Sequence, residues 1–290
     1  MKIIEAINKY VTNPYVIDKR GRFAHYPSEA KVISRSDGEI IGKCHRASYY
    51  DWTGEEPTNP VDARGRWTFL VGKLLEGGYV EYCKQMGIWA GNNVHMYDLE
   101  HNVSGEADLF IFNEQKVIEG VEIKTAYGYG FQKSVKVFPK LDNLLQSVQY
   151  LNYFKTPCWH LIYKARDTQE DVEYILTLNT DANGNKYLSV DGQPCYIFFL
   201  QDIFDQYRIL GEYVVNKQLP PRDFTYMYDI EKTRERFKQG KITKTKMSAV
   251  EKEVATDSDW QCLYCSHLDR CWIEKRAAMK LKQVKEEDTE

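Results

Sequence analysis

What constrains this chain most is a pair of neighbouring runs, GEADLFIF from Gly105 and KVIEGVEIKT from Lys116, rich in β-branched and aromatic residues and joined by the short polar stretch Asn113-Glu114-Gln115. Runs of this kind so close together read as a β-hairpin and as the core of a sheet. Polar chemistry is written into both: Asp108 lies in the first, and the triplet Glu122-Ile123-Lys124 in the second. The two-residue period of a strand puts Glu122 and Lys124 on one face while Ile123 points away into the core. A carboxylate and an ammonium buried in a sheet are costly unless they pair or hold a metal, so the pattern implies a chemical purpose.

Asp108 joins that face only if the hairpin sets it opposite an even-numbered residue of the second strand. A three- or five-residue loop does so; a two- or four-residue loop sends the two carboxylates to opposite faces. Pairing Asn113 with Val117 around Glu114-Gln115-Lys116 places Asp108 directly across from Glu122, with Cβ atoms roughly 5 Å apart. The chemical reading therefore predicts an odd loop or a bulge. Two carboxylates at that separation, with the Ile123 carbonyl and a third carboxylate from a preceding helix, make an all-oxygen site for Mg²⁺ or Mn²⁺. Such an ion would polarise a phosphate oxygen and lower the pKa of a bound water. Lys124 would position that water and offset negative charge in the transition state.

Around the hairpin, a chain of 290 residues that is 43% hydrophobic and 28% charged reads as globular, with length for a substantial core. Its 39 basic and 42 acidic residues leave a formal charge of −3, so the bulk composition advertises neither a nucleic-acid binder nor a membrane-surface protein. Any DNA contact has to be local. No apolar run approaches the roughly 18 to 20 residues of a membrane span, and MKIIEAINKY lacks the apolar stretch of a secretory signal. The expectation is a cytoplasmic protein with no membrane association.

The first 90 residues look mostly helical, most strongly at Trp67–Gln85, where Phe69, Leu70, Leu74, Leu75 and Val80 recur at helical spacing until Gly87; Glu76 and Glu81 sit on this element. Leu141–Phe154 returns to the helical period and stops before Thr156-Pro157. Gln146, Gln149, Tyr150 and Tyr153 share one side of it, either as a solvent face or as a stripe able to hydrogen-bond a backbone phosphate. Strands follow at Cys158–Ala165 and Val172–Leu178, with a third run at Pro194–Phe199. A helix at Gln201–Asn216 ends before Pro220-Pro221, the best boundary in the chain. Beyond it, seven Lys or Arg against two Glu in Glu231–Met247 form a solvated face or a phosphate-tracking strip. Asp181-Ala-Asn183-Gly-Asn185 imitates the opening of a calcium loop, but its glycine comes too early, and it reads as a turn.

In the compartment expected here thiols stay reduced, so the seven cysteines are read by spacing. Cys262, Cys265 and Cys271 form a tight C-x2-C-x5-C trio, which needs a fourth ligand for a tetrahedral zinc or a cubane iron–sulfur cluster. Cys44, in CHRASYY, is the best fourth candidate, while His45 and His267 keep zinc open. Cys83, Cys158 and Cys195 read as small buried hydrophobes.

The ordered set CHRASYY, GKLLEGGYVE, SGEADLFIF, VEIKT, QSVQY and CLYCSHLDRC resembles the RecB-type nucleases of the PD-(D/E)XK superfamily. Within them it is similar to the iron–sulfur subclass that includes AddB and the CRISPR-associated Cas-four exonucleases. The resemblance covers nearly the whole chain. It implies an α/β (α+β) fold of the restriction-endonuclease type, a central mixed sheet flanked by helices, in one nuclease domain. That domain would comprise an N-terminal helical part at 1–104, a sheet core at 105–221 and a cluster-binding part at 222–290.

It further implies metal-dependent hydrolysis of DNA, on single strands or ends. Asp108, Glu122 and the Ile123 carbonyl would hold Mn²⁺ or Mg²⁺, with Glu76 where many members have a histidine; Glu81 is the alternative to Glu76. Lys124 would be the catalytic lysine, and Gln146 and Tyr150 would match the family's QxxxY motif. A structural [4Fe–4S] cluster on Cys44, Cys262, Cys265 and Cys271 would tie the N- and C-terminal regions together. The competing reading is a catalytically silent DNA-binding or assembly subunit, against which the intact Asp108, Glu122 and Lys124 argue. Protein partners in DNA processing and self-association stay open.

Overall fold

The two carboxylate-bearing runs form an antiparallel hairpin, Val103–Phe112 against Ile118–Ala126, in the register the chemistry requires. Leu109 pairs with Val121 and Phe112 with Ile118, so one further step places Asp108 opposite Glu122. The loop is Glu114-Gln115-Lys116: the Asn113 N–H donates to the Val117 carbonyl at 2.9 Å. The Asn113 side-chain oxygen accepts from the N–H groups of Gln115 and Val117 at 3.0 and 2.9 Å. Lys116 takes a φ of +60°, the left-handed residue with which three-residue loops return the chain in register.

The computed structural model describes residues 2–11 and 23–276; from residue 277 the mixed-charge C-terminal tail lies outside them. In chain order the elements are α1 (Ile3–Val11), β1 (Lys31–Ile33), β2 (Ile40–Gly42), α2 (His45–Trp52), α3 (Ala63–Gln85), β3 (Trp89–Asp98), β4 (Val103–Phe112) and β5 (Ile118–Ala126). Then come the single turn α4 (Gly128–Gly130), α5 (Leu141–Phe154), β6 (Trp159–Ala165), β7 (Asp171–Thr180), β8 (Lys186–Val190), β9 (Gln193–Cys195) and α6 (Leu200–Val215). The last are α7 (Ile230–Lys238), α8 (Lys244–Glu251), α9 (Trp260–Leu263) and α10 (Leu268–Cys271). They form two compact units, Met1–Lys43 with Asp62–Gln218, and Cys44–Val61 with Leu219–Glu290. The second unit thus joins Cys44–Val61 with the segment that begins beside Pro220-Pro221.

In the first unit, the described residues build a seven-stranded mixed sheet in the order β3-β4-β5-β6-β7-β8-β9, with helices against it. Its one parallel pair is β5 with β6, connected through α5. On β5 the even-numbered Glu122 and Lys124 stand beside Leu161 and Tyr163 of β6. The core on that side contains Phe110, Trp159, Leu161 and Tyr163 with Leu144, Leu145, Val148 and Leu151 of α5. Odd-numbered Val121 and Ile123 pack with Leu109 against Tyr79, Val80 and Cys83 of α3. Gly120 has a packing reason: a Cβ there would fall 2.1 Å from the Trp159 ring.

Several elements differ from expectation. Helices predominate among the described elements before residue 90, but Lys31–Ile33 and Ile40–Gly42 pair as a small hairpin and β3 begins at Trp89. Of the run at Pro194–Phe199 only Pro194 and Cys195 are in a strand, at the end of β9, which pairs with β8 as a hairpin. On α3, Phe69, Leu70 and Leu74 are exposed, because the side that meets the sheet carries Tyr79, Val80 and Cys83 instead.

The glutamine-tyrosine side of α5 is no solvent face. Gln146, Gln149 and Tyr150 are buried, and only Tyr153 reaches the surface. Gln149 donates to the carbonyls of Pro27 and Leu145 at 3.3 and 2.7 Å and accepts from the Tyr207 hydroxyl at 3.0 Å. The turn at Pro27 and helix α6 thus cover that side. Asp181–Asn185 is the turn expected, with the Asp181 carboxylate accepting from the N–H groups of Asn183 and Asn185.

In the second unit the basic stretch forms α7 and α8. Lys232 pairs with Glu235, Arg234 with Glu251, and Arg236 with the buried Asp257 at 2.7 Å, which removes much of its free positive charge. Among the described residues no helix is long and apolar enough to cross a membrane.

Candidate active site

Strand pairing delivers three charged groups to one place in the first unit. Glu122 is 1% exposed, and the Lys124 ammonium lies 2.5 Å from its Oε1. The Asp108 Oδ2 accepts the Ile123 N–H at 2.8 Å, so Ile123 offers Asp108 its donor across the hairpin. The second Glu122 oxygen, Oε2, is buried without a hydrogen-bond partner.

The electrostatics of these groups point one way. Burial, then the Glu122 charge, pushes the Asp108 carboxyl up to about 8, although Lys124 and the Ile123 N–H pull against it. Burial also raises Glu122 above the usual carboxylate range despite Lys124. Burial alone would lower Lys124, but Glu122 and Asp108 more than reverse this and raise it. Every shift favours holding another proton, so the site is short of positive charge.

Glu76 adds its field to both Asp108 and Glu122, and Lys73, 3.4 Å from Glu76, adds a compensating one. Glu81 instead accepts from Gln85 in solvent. Of the two helical carboxylates, Glu76 is the one whose charge acts on the pair.

On the other side stands α5. The Tyr150 hydroxyl donates to the Glu106 carbonyl at 2.9 Å, two residues before Asp108. Burial raises its phenol well above the ordinary range, the Glu122 charge adds to this, and the Gln146 side chain hydrogen-bonds it. Gly105 makes this approach possible, because a Cβ there would lie 2.9 Å from the hydroxyl. The Gly-Glu-Ala-Asp and Gln-x-x-x-Tyr segments are therefore one packed unit. Lys73 and Gly105 lie inside GKLLEGGYVE and SGEADLFIF, but only the structure gives them these contacts.

These residues fit a hard divalent ion. A buried carboxylate oxygen lacks a partner, two carboxylates repel at close range, and the donors are oxygens. Asp108 and Glu122 would hold the ion, with Glu76 near enough to add its charge.

The second unit gathers the other predicted residues. Cys44, Cys262, Cys265 and Cys271 line one pocket, together with Tyr50, Arg222, Phe224, Leu268 and Trp272. Burial and the neighbouring Cys44 push the Cys262 thiol up to about 12, and burial followed by Asp223 raises Cys44. Cys44 is the first residue before α2, where the N–H groups of Arg46 and Ala47 offset part of that rise. Arg222 stacks 4.0 Å over the Trp272 ring and donates to the Cys271 carbonyl. Neither His45 nor His267 lines this pocket. His267 is buried with its Nε2 2.9 Å from Asp51, and the His45 N–H is held by Asp223. Within the described residues, no three of the four sulfurs lie mutually within 4.8 Å.

Cys83 and Cys195 pack as small hydrophobes, as expected. Cys158 does not: it is half-exposed, and its sulfur meets Glu119 and His160 in a triad capable of binding a metal. Parallel pairing of β5 with β6 brings these residues together, and no local spacing announces it.

No family model matches this chain, and no curated protein matches it. Among solved structures, the crystal structure of SSO0001 aligns with a TM-score of 0.48 and 16% identity, over 91% of this chain and 93% of that one.

Proposed function

We propose that this protein is a metal-dependent DNA exonuclease that hydrolyses phosphodiester bonds on single strands or DNA ends, with a PD-(D/E)XK catalytic core and a structural iron–sulfur cluster. The observation that carries the reading is the site's unmet demand for positive charge. Asp108 and Glu122 face each other across the hairpin, one Glu122 oxygen is buried without a partner, and Lys124 alone does not balance them.

Bound Mn²⁺ or Mg²⁺ would supply Lewis-acid polarisation of the scissile phosphate and a more acidic water. The remaining work belongs to the chain. Lys124, held by Glu122, places a fixed positive charge where the attacking water and the developing phosphorane charge would sit. Tyr150 and Gln146 brace the Asp108 strand from α5, which keeps the carboxylates in register. The buried setting excludes bulk water and strengthens each of these interactions.

In the second unit, four cysteines around one pocket support a cubane cluster. A single zinc with Zn–S of about 2.3 Å would draw its sulfurs to roughly 3.8 Å, closer than this arrangement holds them.

The test is digestion of end-labelled single- and double-stranded DNA by anaerobically purified protein with Mn²⁺, Mg²⁺ or EDTA, beside Lys124→Ala. Metal-dependent loss of label that disappears in the variant, with DNA binding retained, is the expected result. Activity retained by Lys124→Ala removes the lysine from the mechanism. An inert wild type with an intact cluster transfers the assignment to a scaffold role.

A further inference from the structure

At the end of the sheet where β5 and β6 begin, Glu119, Cys158 and His160 each offer one ligand atom within 4.8 Å of the other two. His160 Nε2 lies 2.9 Å from Glu119 Oε2 and 3.7 Å from Cys158 Sγ. A tetrahedral zinc, with Zn–S of about 2.3 Å and Zn–N or Zn–O of about 2.0 Å, spaces such atoms roughly 3.3 to 3.6 Å apart. The trio is already close to that spacing. Its origin is the parallel register: Gly120 pairs with Trp159 and Val121 with His160, so Glu119, Cys158 and His160 share a face.

Two further groups orient the ligands. His160 Nδ1 lies 2.7 Å from Glu173 Oε1 on β7, the carboxylate–histidine arrangement that fixes a metal-binding imidazole. Asn113 donates to the other Glu119 oxygen at 2.7 Å. The side chains of His160 and Glu119 are each 15% exposed, sheltered yet open to an entering ion. One thiolate, one imidazole and one carboxylate suit a borderline ion, unlike the all-oxygen pair at Asp108 and Glu122.

We propose that Glu119, Cys158 and His160 form a separate metal site for one divalent ion of the zinc class, with Glu119 Oε2, Cys158 Sγ and His160 Nε2 as ligands and water in the fourth position. Without the ion, the Cys158 thiol and the His160 Nε2–H both direct protons at Glu119. Binding exchanges those two protons for one divalent cation and changes no oxidation state. The site clips β5, β6 and β7 together at one end. Glu119 precedes Glu122 by three residues on the opposite face, about 10 Å away along the strand. The assignment is therefore independent of the nuclease reading.

The experiment uses full-length, cluster-loaded protein, stripped with EDTA and dialysed against Zn²⁺ alone. Bound zinc is counted by mass spectrometry, and zinc X-ray absorption reports the ligands. The expected result is one zinc per chain in a shell of one sulfur with nitrogen and oxygen. Cys158→Ser and His160→Gln should each weaken binding at least about tenfold with the cluster absorbance unchanged. A shell with no sulfur or with four, zinc content unaffected by either variant, or no zinc retained at micromolar concentration overturns the proposal. In that case the trio is a proton-bridged ion pair. If either variant fails to fold, the wild-type ligand shell decides alone.

Discussion

Replacing Asp108 by Asn should stabilise the metal-free protein while abolishing its response to Mn²⁺. The Asp108 carboxyl is raised from 3.8 to about 8 by burial and by Glu122. The folded state therefore holds a proton that the unfolded chain has already shed, and stability falls as pH rises from the ordinary carboxylate range toward 8. Integrated to pH 7, that linkage amounts to about 4 kcal/mol. Because Glu122 shares the repulsion, about 2 to 4 kcal/mol falls to the substitution.

Asn has the shape of the protonated acid, and its side-chain oxygen can still accept the Ile123 N–H that now donates at 2.8 Å. For a chain of this size the gain corresponds to roughly 3 to 7 °C in Tm. The assay is thermal melting in EDTA from pH 5 to 8, for wild type and Asp108→Asn, repeated with Mn²⁺. The gap between the two should widen as pH rises, and Mn²⁺ should raise the Tm of the wild type alone. A variant no more stable than wild type at pH 8 in EDTA, or a gap independent of pH, would refute the argument that these carboxylates are held apart from their preferred charge.

Gly120→Ala pushes a methyl to 2.1 Å from the buried Trp159 ring; overpacking of that kind costs about 3 kcal/mol, read as lost soluble expression or a lower urea midpoint. Tyr150→Phe leaves the Glu106 carbonyl without its hydroxyl donor and should cost about 1 kcal/mol in chemical denaturation, with slower DNA cleavage. Cys265→Ser should remove the brown chromophore and lower stability, while the Mn²⁺-induced rise in Tm persists because the carboxylates lie in the other unit. A wild type that is colourless yet folded and active would assign the cysteines to zinc.

Some of this protein follows from the sequence alone, because the information is local. Strand periodicity and loop parity bind Asp108, Glu122 and Lys124 into one constellation, since an odd loop around Glu114-Gln115-Lys116 admits only one facing. The limits of α5 follow from apolar spacing and from Pro157, which ends it. The spacing of Cys262, Cys265 and Cys271 marks them as a group, and they line one pocket.

Other features needed the tertiary structure, because they arise from residues far apart in the chain. Gln149 looks like a surface residue until the turn at Pro27 and Tyr207 close over it. Glu76 and Glu81 are equivalent in sequence, and only the tertiary structure brings the charge of Glu76 to bear on the carboxylates. The short strands at Lys31 and Ile40 exist by pairing with each other. Glu119, Cys158 and His160 converge because β5 and β6 run parallel in one particular register, which no periodicity within either strand records.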